Sequence, residues 1–246
     1  MIIGQSAGKT YAYLLGVYLG DGCVTTSGYE SSLGRACYVF RLNTIDRDFA
    51  DATADALLEL TGSRPNIREH PVKKGSNNFA MSHACRELTD KLVADTQDKQ
   101  IIPAYVFAWT DDEKRAFIAG VMDSEGFVAE NKGGQTGRCY YMGYKSCDAW
   151  VPDFVRILQS VGVQIGKIGI EEPRKPGYKV PTRFTIKMQS WVDSGCRFNI
   201  ARKQRRVDLW AATEPYSQRS RYPRKVSSTT NMPDTLQGVK IEPELA

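Results

Sequence analysis

The sequence predicts an α+β fold of two pseudo-symmetric αββαββα units, each with a four-stranded antiparallel sheet, joined at a seam of two helices. Three observations lead there. The stretch Ala12-Tyr13-Leu14-Leu15-Gly16-Val17-Tyr18-Leu19-Gly20-Asp21-Gly22 returns, changed but legible, as Arg115-Ala116-Phe117-Ile118-Ala119-Gly120-Val121-Met122-Asp123-Ser124-Glu125-Gly126. The order of helical and strand-like segments after the first copy recurs after the second. The spacing between matched features is also nearly constant: 104 residues separate Asp21 from Glu125, 100 separate the helix-ending Gly62 and Gly162, and 104 separate the dipeptides Lys99-Gln100 and Lys203-Gln204. On this basis the chain divides into a first half at 1–100, a connector at 101–110, a second half at 111–206 and a basic extension with a tail at 207–246.

Each copy of the repeat reads as the end of a helix that is apolar on nearly every side, and such a helix is buried. It closes on an acid followed by Gly, the residue that most readily takes left-handed backbone after a helix. Small residues four apart, Gly16 and Gly20 in one copy and Gly120 and Ser124 in the other, leave one face of each helix nearly bare, so the two can pack closely. Side by side, the helices bring Asp21 and Glu125 together where their dipoles already concentrate negative charge. That arrangement is electrostatically poor without a cation. Oxygen-only ligands, with no His or Cys nearby, point to Mg²⁺ held by Asp21 and Glu125 with help from Gly20 and Ser124.

The remaining elements follow in order. Gly4-Gln5-Ser6-Ala7-Gly8-Lys9-Thr10 is not a phosphate loop, because only three residues separate its glycines where four are needed. Strands are expected at 23–26 and 35–45, the second with Val39, Arg41 and Asn43 on a polar face and Tyr38, Phe40 and Leu42 on the core face. A helix over 46–61 buries Phe49, Ala52, Thr53, Ala56, Leu57 and Leu60 and stops at Gly62. Strands near 66–72 and 77–82 and a short helix over 84–94 complete the unit. In the second half Asp111 or Asp112 caps the motif helix, strands lie near 127–129 and 139–146, and a helix spans 149–161. Strands near 164–171 and 182–188 and a short helix from Ser190 finish it, with Arg183, Thr185 and Lys187 alternating with Phe184, Ile186 and Met188.

Composition excludes several classes. There is no apolar run long enough to span a bilayer, and six scattered cysteines without a C-x-x-C pair argue against a zinc site or a disulfide framework, so a reducing, cytoplasmic setting is expected. Only His70 and His83 are present, too few for histidine-based metal nucleases. Net charge is +5, of which residues 201–225 contribute +6, so any nucleic-acid surface in the body must come from segregating charge onto one face.

Aligned over nine residues, Leu14 to Gly22 and Ile118 to Gly126 resemble the signature of the LAGLIDADG homing endonucleases. The first copy departs at Leu19 and Gly20, the second at Ser124 and by Glu for Asp at 125; the eighth-position acid is kept in both. The resemblance covers roughly residues 10 to 206. It implies a monomeric, two-motif DNA endonuclease that hydrolyses one phosphodiester per strand across the minor groove of a long pseudo-palindromic or asymmetric duplex target, leaving short 3′ overhangs. It also implies Mg²⁺ as cofactor, Mn²⁺ as a substitute and Ca²⁺ binding without cleavage. A lysine near the end of each half assists catalysis in that family, and Lys99 and Lys203 match by position. Two twisted sheets flanking the axis would form a saddle for a duplex, with Arg41, Asn43, Lys145, Arg183 and Lys187 toward base edges and Lys73, Lys74, Lys132, Arg174 and Lys175 toward phosphates. A non-cleaving relative, acting on intron RNA as a maturase or on DNA as a regulator, is the alternative; the retention of both acids favours the enzyme.

Overall fold

A computed structural model of the chain describes residues 7–27, 37–72, 76–131, 139–170 and 180–213. The first half runs α1 (Ala7–Leu19), β1 (Cys23–Ser27), β2 (Cys37–Thr44), α2 (Arg47–Thr61), β3 (Ile67–Val72), β4 (Ser76–Ala84) and α3 (Arg86–Thr96). A 3-10 turn at Ala104–Ala108 leads into the second half: α4 (Asp111–Ser124), β5 (Gly126–Asn131), β6 (Cys139–Ser146), α5 (Val151–Ser160), β7 (Ile165–Ile170), β8 (Thr182–Ile186) and α6 (Met188–Asp193), followed by α7 (Ala201–Thr213). Each half builds a four-stranded antiparallel sheet of the same topology, β1-β2-β4-β3 and β5-β6-β8-β7. The repeat in the sequence is therefore a repeat in the architecture.

Alternation along the strands puts Phe40, Leu42 and Met81 of one sheet, and Met142, Tyr144, Phe184 and Ile186 of the other, into a common core with α1, α2, α4 and α5. Residues 11 to 19 of α1 are all buried, as an all-round apolar helix must be. The second half packs with aromatics: the Tyr144 ring stacks on Phe184 at 5.2 Å between centroids and lies 5.2 Å from Phe154. Helix α2 stops at Gly62, whose φ of +75° is left-handed. No helix among the described residues is long and apolar enough to cross a membrane.

Three local expectations are corrected. The cap of α4 is Thr110, which forms a capping box with Glu113, because a hydroxyl one residue earlier can bond the third backbone N–H while Glu113 returns the bond. Gly22 and Gly126 are not among the left-handed glycines. They are needed for space: a Cβ on Gly22 would lie 2.9 Å from the Tyr18 Cα, and one on Gly126 would lie 2.6 Å from the Met122 carbonyl oxygen. Val39, though on the polar face, is only 8% exposed, being flanked by Thr25 and Ala84 on both sides of a central strand.

Candidate active site at the helix seam

Helices α1 and α4 lie backbone on backbone. A Cβ placed on Gly16 would fall 2.3 Å from the Phe117 carbonyl oxygen, one on Gly120 would fall 2.2 Å from the Tyr13 carbonyl oxygen, and one on Gly20 would fall 2.3 Å from the Ser124 Cβ. These are closer than any real side-chain carbon approaches, so only glycine permits the seam. The pairing of 16 with 120 and of 20 with 124 means that the helices run in the same direction and end together. At that end the Glu125 side chain lies against Gly20, 3.7 Å from where its Cβ would be.

Both acids bear the cost of this placement. Asp21 stays open to solvent at its tip, yet the surrounding protein desolvates it enough to raise its pKa above the usual carboxylate value, with Asp46 adding to the rise and Lys203 and Lys99 opposing it. Burial, then the charges of Asp21 and Asp148, push Glu125 up to about 7. The two acids offer oxygen donors, although the Glu125 cleft is also lined by Cys147. Among the described residues no three His, Cys, Asp or Glu side chains cluster as a ready-made metal cage. Two carboxylates plus carbonyl oxygens nevertheless suit a hard cation such as Mg²⁺, which keeps several waters and is shared with substrate phosphates. The donor chemistry fits, and Asp21 and Glu125 are the groups that would hold it.

The two acids open into separate clefts, and each cleft is assembled from both halves. The Asp21 cleft, about 270 Å³, is walled by Asn43, Thr44 and Asp46 from the end of β2, by Asp123 and Ser124 from α4, and by Arg202 and Lys203 from α7. The Glu125 cleft, about 450 Å³, is walled by Lys145, Ser146 and Asp148 from the end of β6, by Leu19 and Gly20 from α1, and by Lys99. Thus Asp21 faces the lysine of the second half, and Glu125 faces the lysine of the first.

The two lysines reach their clefts by different local structures. Lys99 follows α3 in a turn where Gln97, Asp98 and Lys99 have φ of 49°, 53° and 67°, left-handed backbone that costs L-residues energy. The Thr96 hydroxyl accepts from the Lys99 N–H at 3.0 Å and Tyr18 donates to Asp98 at 3.2 Å, which offsets that cost. The Lys99 ammonium donates to the carbonyls of Gly20 and Gly22 at 2.5 and 3.1 Å, at the end of α1. Lys203 instead sits in the first turn of α7, 4% exposed, and donates to the carbonyls of Met122 and Asp123 at 2.9 and 2.6 Å, at the end of α4. Burial lowers its pKa to about 8. Both cations thereby sit on the negative ends of the seam helices.

Several residues of the site escaped the sequence reading. Asp123, 2% exposed, accepts from the backbone N–H of Asn199 at 3.1 Å and of Ile200 at 3.3 Å, and from the Tyr13 hydroxyl at 3.3 Å, so it anchors the start of α7 and with it Lys203. Arg202 is paired bidentately with Asp46, 2.7 Å for its second bond, and the Ala201 N–H donates to Asp48, which ties α7 to the first half. A signal for the cleft walls was present: Asn43-Thr44-Ile45-Asp46 and Lys145-Ser146-Cys147-Asp148, 102 residues apart, share a hydroxyl residue at the second position and Asp at the fourth. For Asp123 the only hint was the acid at the sixth motif position, which the first copy replaces with Leu19.

On the sheets, Arg41 and Asn43 are exposed on the face of the first sheet opposite its core, where Arg41 shares a cavity of about 370 Å³ with Asn66, Arg68, His70, Ala80 and Ser82. Arg183 pairs in register with Lys145 and lies 5.2 Å over the Phe127 ring on the corresponding face of the second sheet. Lys187 is placed elsewhere: the chain has left β8, Lys187 starts α6, and its ammonium donates to Gln164 at 2.9 Å. Lys73, Lys74, Lys132, Arg174 and Lys175 lie outside the described residues.

No protein-family model matches the chain. Among solved structures, I-DmoI superposes with a TM-score of 0.51 over 77% of this chain and 94% of its own, at 17% sequence identity. The fold is that of the homing endonuclease I-DmoI. The two motif copies and the fold they sit in therefore point to the same LAGLIDADG architecture. I-DmoI has been solved in complex with DNA and Mn, TM-score 0.50 over 76% of this chain and 94% of I-DmoI, and with DNA and Ca. An uncharacterized protein of Methanocaldococcus jannaschii, MJ0398, is 29% identical over 130 residues. That match spans 53% of this chain and 43% of the relative, less than half its length.

Proposed function

We propose that this chain is a site-specific, Mg²⁺-dependent double-strand DNA endonuclease that cuts one phosphodiester in each strand. The observation that carries the reading is the reciprocal construction of the two clefts, each with one carboxylate and one lysine drawn from opposite halves. Two such sites related by the seam axis suit two scissile phosphates on the strands of one duplex, facing each other across the minor groove and leaving short 3′ overhangs. A divalent cation held by Asp21 and Glu125 would supply charge for the phosphoryl transition state and would acidify water. The protein's own part is to orient and to balance charge. Asp21 and Glu125 present oxygen donors at the ends of two helices. Lys99 and Lys203 hold positive charge at fixed carbonyls beside them, where it would polarise the water network or offset charge on the pentacovalent phosphate.

The halves at 1–100 and 111–206 would each read one half-site. Arg41, Asn43 and Arg68 from the first sheet and Lys145 and Arg183 from the second would face base edges in the major groove, and the basic segment after 206 would contact phosphates. One chain supplies both halves, so it acts as a monomer on a long, imperfectly symmetric target, in the service of a mobile intron or a free-standing mobile gene. Incubating the full chain with a randomised duplex library in Mg²⁺, with Ca²⁺ in parallel, tests this. A single long sequence cut with staggered 3′ ends only in Mg²⁺ is expected. Retention of DNA without cutting in either metal would overturn the enzymatic reading.

A further inference from the structure

The two clefts are not equal, and the difference lies in a hydroxyl. Tyr144 is fully enclosed, and its phenol oxygen has no hydrogen-bond partner among the described residues. Its Cα is paired with that of Gly126, the residue after Glu125, and the next two residues of its strand, Lys145 and Ser146, line the Glu125 cleft. The charges that act on its hydroxyl are Glu125 first, then Asp148 and Asp21. The adjacent Ser146 hydroxyl donates to Asp148; it is close enough to act on the Tyr144 hydroxyl but does not meet it in bonding geometry. At the matching place in the first half, 102 residues earlier, the strand carries Leu42, 1% exposed and without a polar atom on its side chain.

An enclosed hydroxyl that no partner meets in bonding geometry is destabilising and is not what a core position selects. Leu42 shows that an apolar residue serves the packing role at the same point of the fold. The cleft with the extra hydroxyl is also the cleft with the longer acid. Glu125 has one more rotatable bond than Asp21 and loses more freedom when held in one conformation, so it has more to gain from a second anchor. We propose that the Tyr144 hydroxyl is a positioning group for Glu125, donating its hydrogen to the carboxylate while that carboxylate holds a divalent cation. The inference rests on the endonuclease reading, and it makes Tyr144 specific to the strand cut at the Glu125 cleft.

The test is Tyr144→Phe, which removes one oxygen and leaves the stacked ring. Mn²⁺ binding to the full chain is followed by electron paramagnetic resonance for the parent, Tyr144→Phe and Glu125→Gln. Tyr144→Phe is expected to weaken, by about tenfold, the same ion that Glu125→Gln removes, and to leave the other unchanged; a hydrogen bond to a charged group is worth about a factor of ten or more. Without metal its melting temperature should equal or exceed the parent's. On the duplex recovered from the library, the Glu125 strand should be cut about tenfold more slowly, by the same reasoning, with nicked product accumulating and DNA affinity unchanged. Parent-like Mn²⁺ binding and parent-like cutting of both strands by Tyr144→Phe would overturn the proposal while leaving the endonuclease intact. Equal weakening of both ions would reduce Tyr144 to a structural residue. A parent that binds Mn²⁺ at neither acid would overturn the endonuclease reading as well.

Discussion

Replacing Gly120 by Ala should destabilise this protein although the same change stabilises most helices. In an ordinary helix interior Ala is preferred over Gly by roughly 0.5–1 kcal/mol. Here the added carbon would sit 2.2 Å from the Tyr13 carbonyl oxygen and 2.8 Å from the Val17 nitrogen. Neither is the flexible end of a side chain, so relief requires the helices to part by about 1 Å, the distance back to normal contact. A gap of that size forfeits about a quarter to a half of each dispersion contact along the seam, where Val17, Val121, Leu14 and Phe117 are fully buried. The net cost expected from overpacking at the upper end of its usual range, about 2–3 kcal/mol, less the propensity gain is about 1–2 kcal/mol, or a fall in melting temperature of roughly 2–8 °C for a body of this size. Because the seam also sets the separation of Asp21 and Glu125, cleavage should fall more than DNA affinity. Chemical denaturation with circular dichroism, alongside single-turnover cleavage, measures both. A Gly120→Ala protein as stable as the parent would show that the helices are not in backbone contact.

Glu125 has a folded pKa of about 7 against an ordinary 4.5, so the folded state holds its proton more tightly than the unfolded chain. Its favourable contribution is therefore complete below pH 4.5 and is lost as pH rises through 7. Without metal, Glu125→Gln should raise the melting temperature at pH 8 and make no difference near pH 4; a flat difference across that range would refute the desolvation argument. Adding Mg²⁺ at pH 8 should stabilise the parent but not this variant. Asp123→Asn leaves two backbone N–H groups without a charged acceptor and should cost about 2–4 kcal/mol, measured by urea denaturation, with loss of the Asp21-side cut exceeding loss of the other. Arg41→Ala and Arg68→Ala should each relax a preference for guanine in one half of the selected target by about 1–3 kcal/mol, read by repeating the library selection; an unchanged consensus would place these guanidiniums off the bases. Arg202→Ala should free α7 from Asp46 and weaken cutting at the Asp21 cleft more than at the Glu125 cleft, read from the strand order of nicking.

The paired helices were legible because their constraint is local: small residues four apart and an acid at a fixed place can be seen in a single stretch of sequence. The strands and α2 were legible through their periods, and so was the repeat that doubles them. What could not be read were contacts that depend on where α7 returns. Asp123 looks like any acid at the end of a helix until residues 199 and 200 arrive beneath it from 76 residues away. Lys187 continued the alternation of Arg183 and Thr185 on paper, but β8 ends at Ile186 and the chain turns into a helix. Alternation gives a face only for as long as the strand lasts. Arg68 is hidden for a different reason: β3, Ile67 to Val72, carries polar residues on both faces, so its pattern does not show that Arg68 and His70 share a face with Arg41.

The crossing of lysines between halves has a consequence for how such a protein can vary. Each acid is held by its own seam helix, but its cleft is completed by the end of the other helix and by the other half's lysine. Neither half can then carry a complete site alone, and a change that loosens one half disturbs the chemistry of both. Within that constraint the two sites have diverged in everything that is not shared. Lys99 stands on a left-handed turn and Lys203 on a helix; Leu42 stands where the other half has Tyr144; Asp21 stands where it has Glu125. On the proposed endonuclease reading, the shared features would place one cut in each strand, and the unshared ones would set how fast each cut proceeds. A chain of two halves is free to make these unequal, whereas two identical subunits would have to change both sites together.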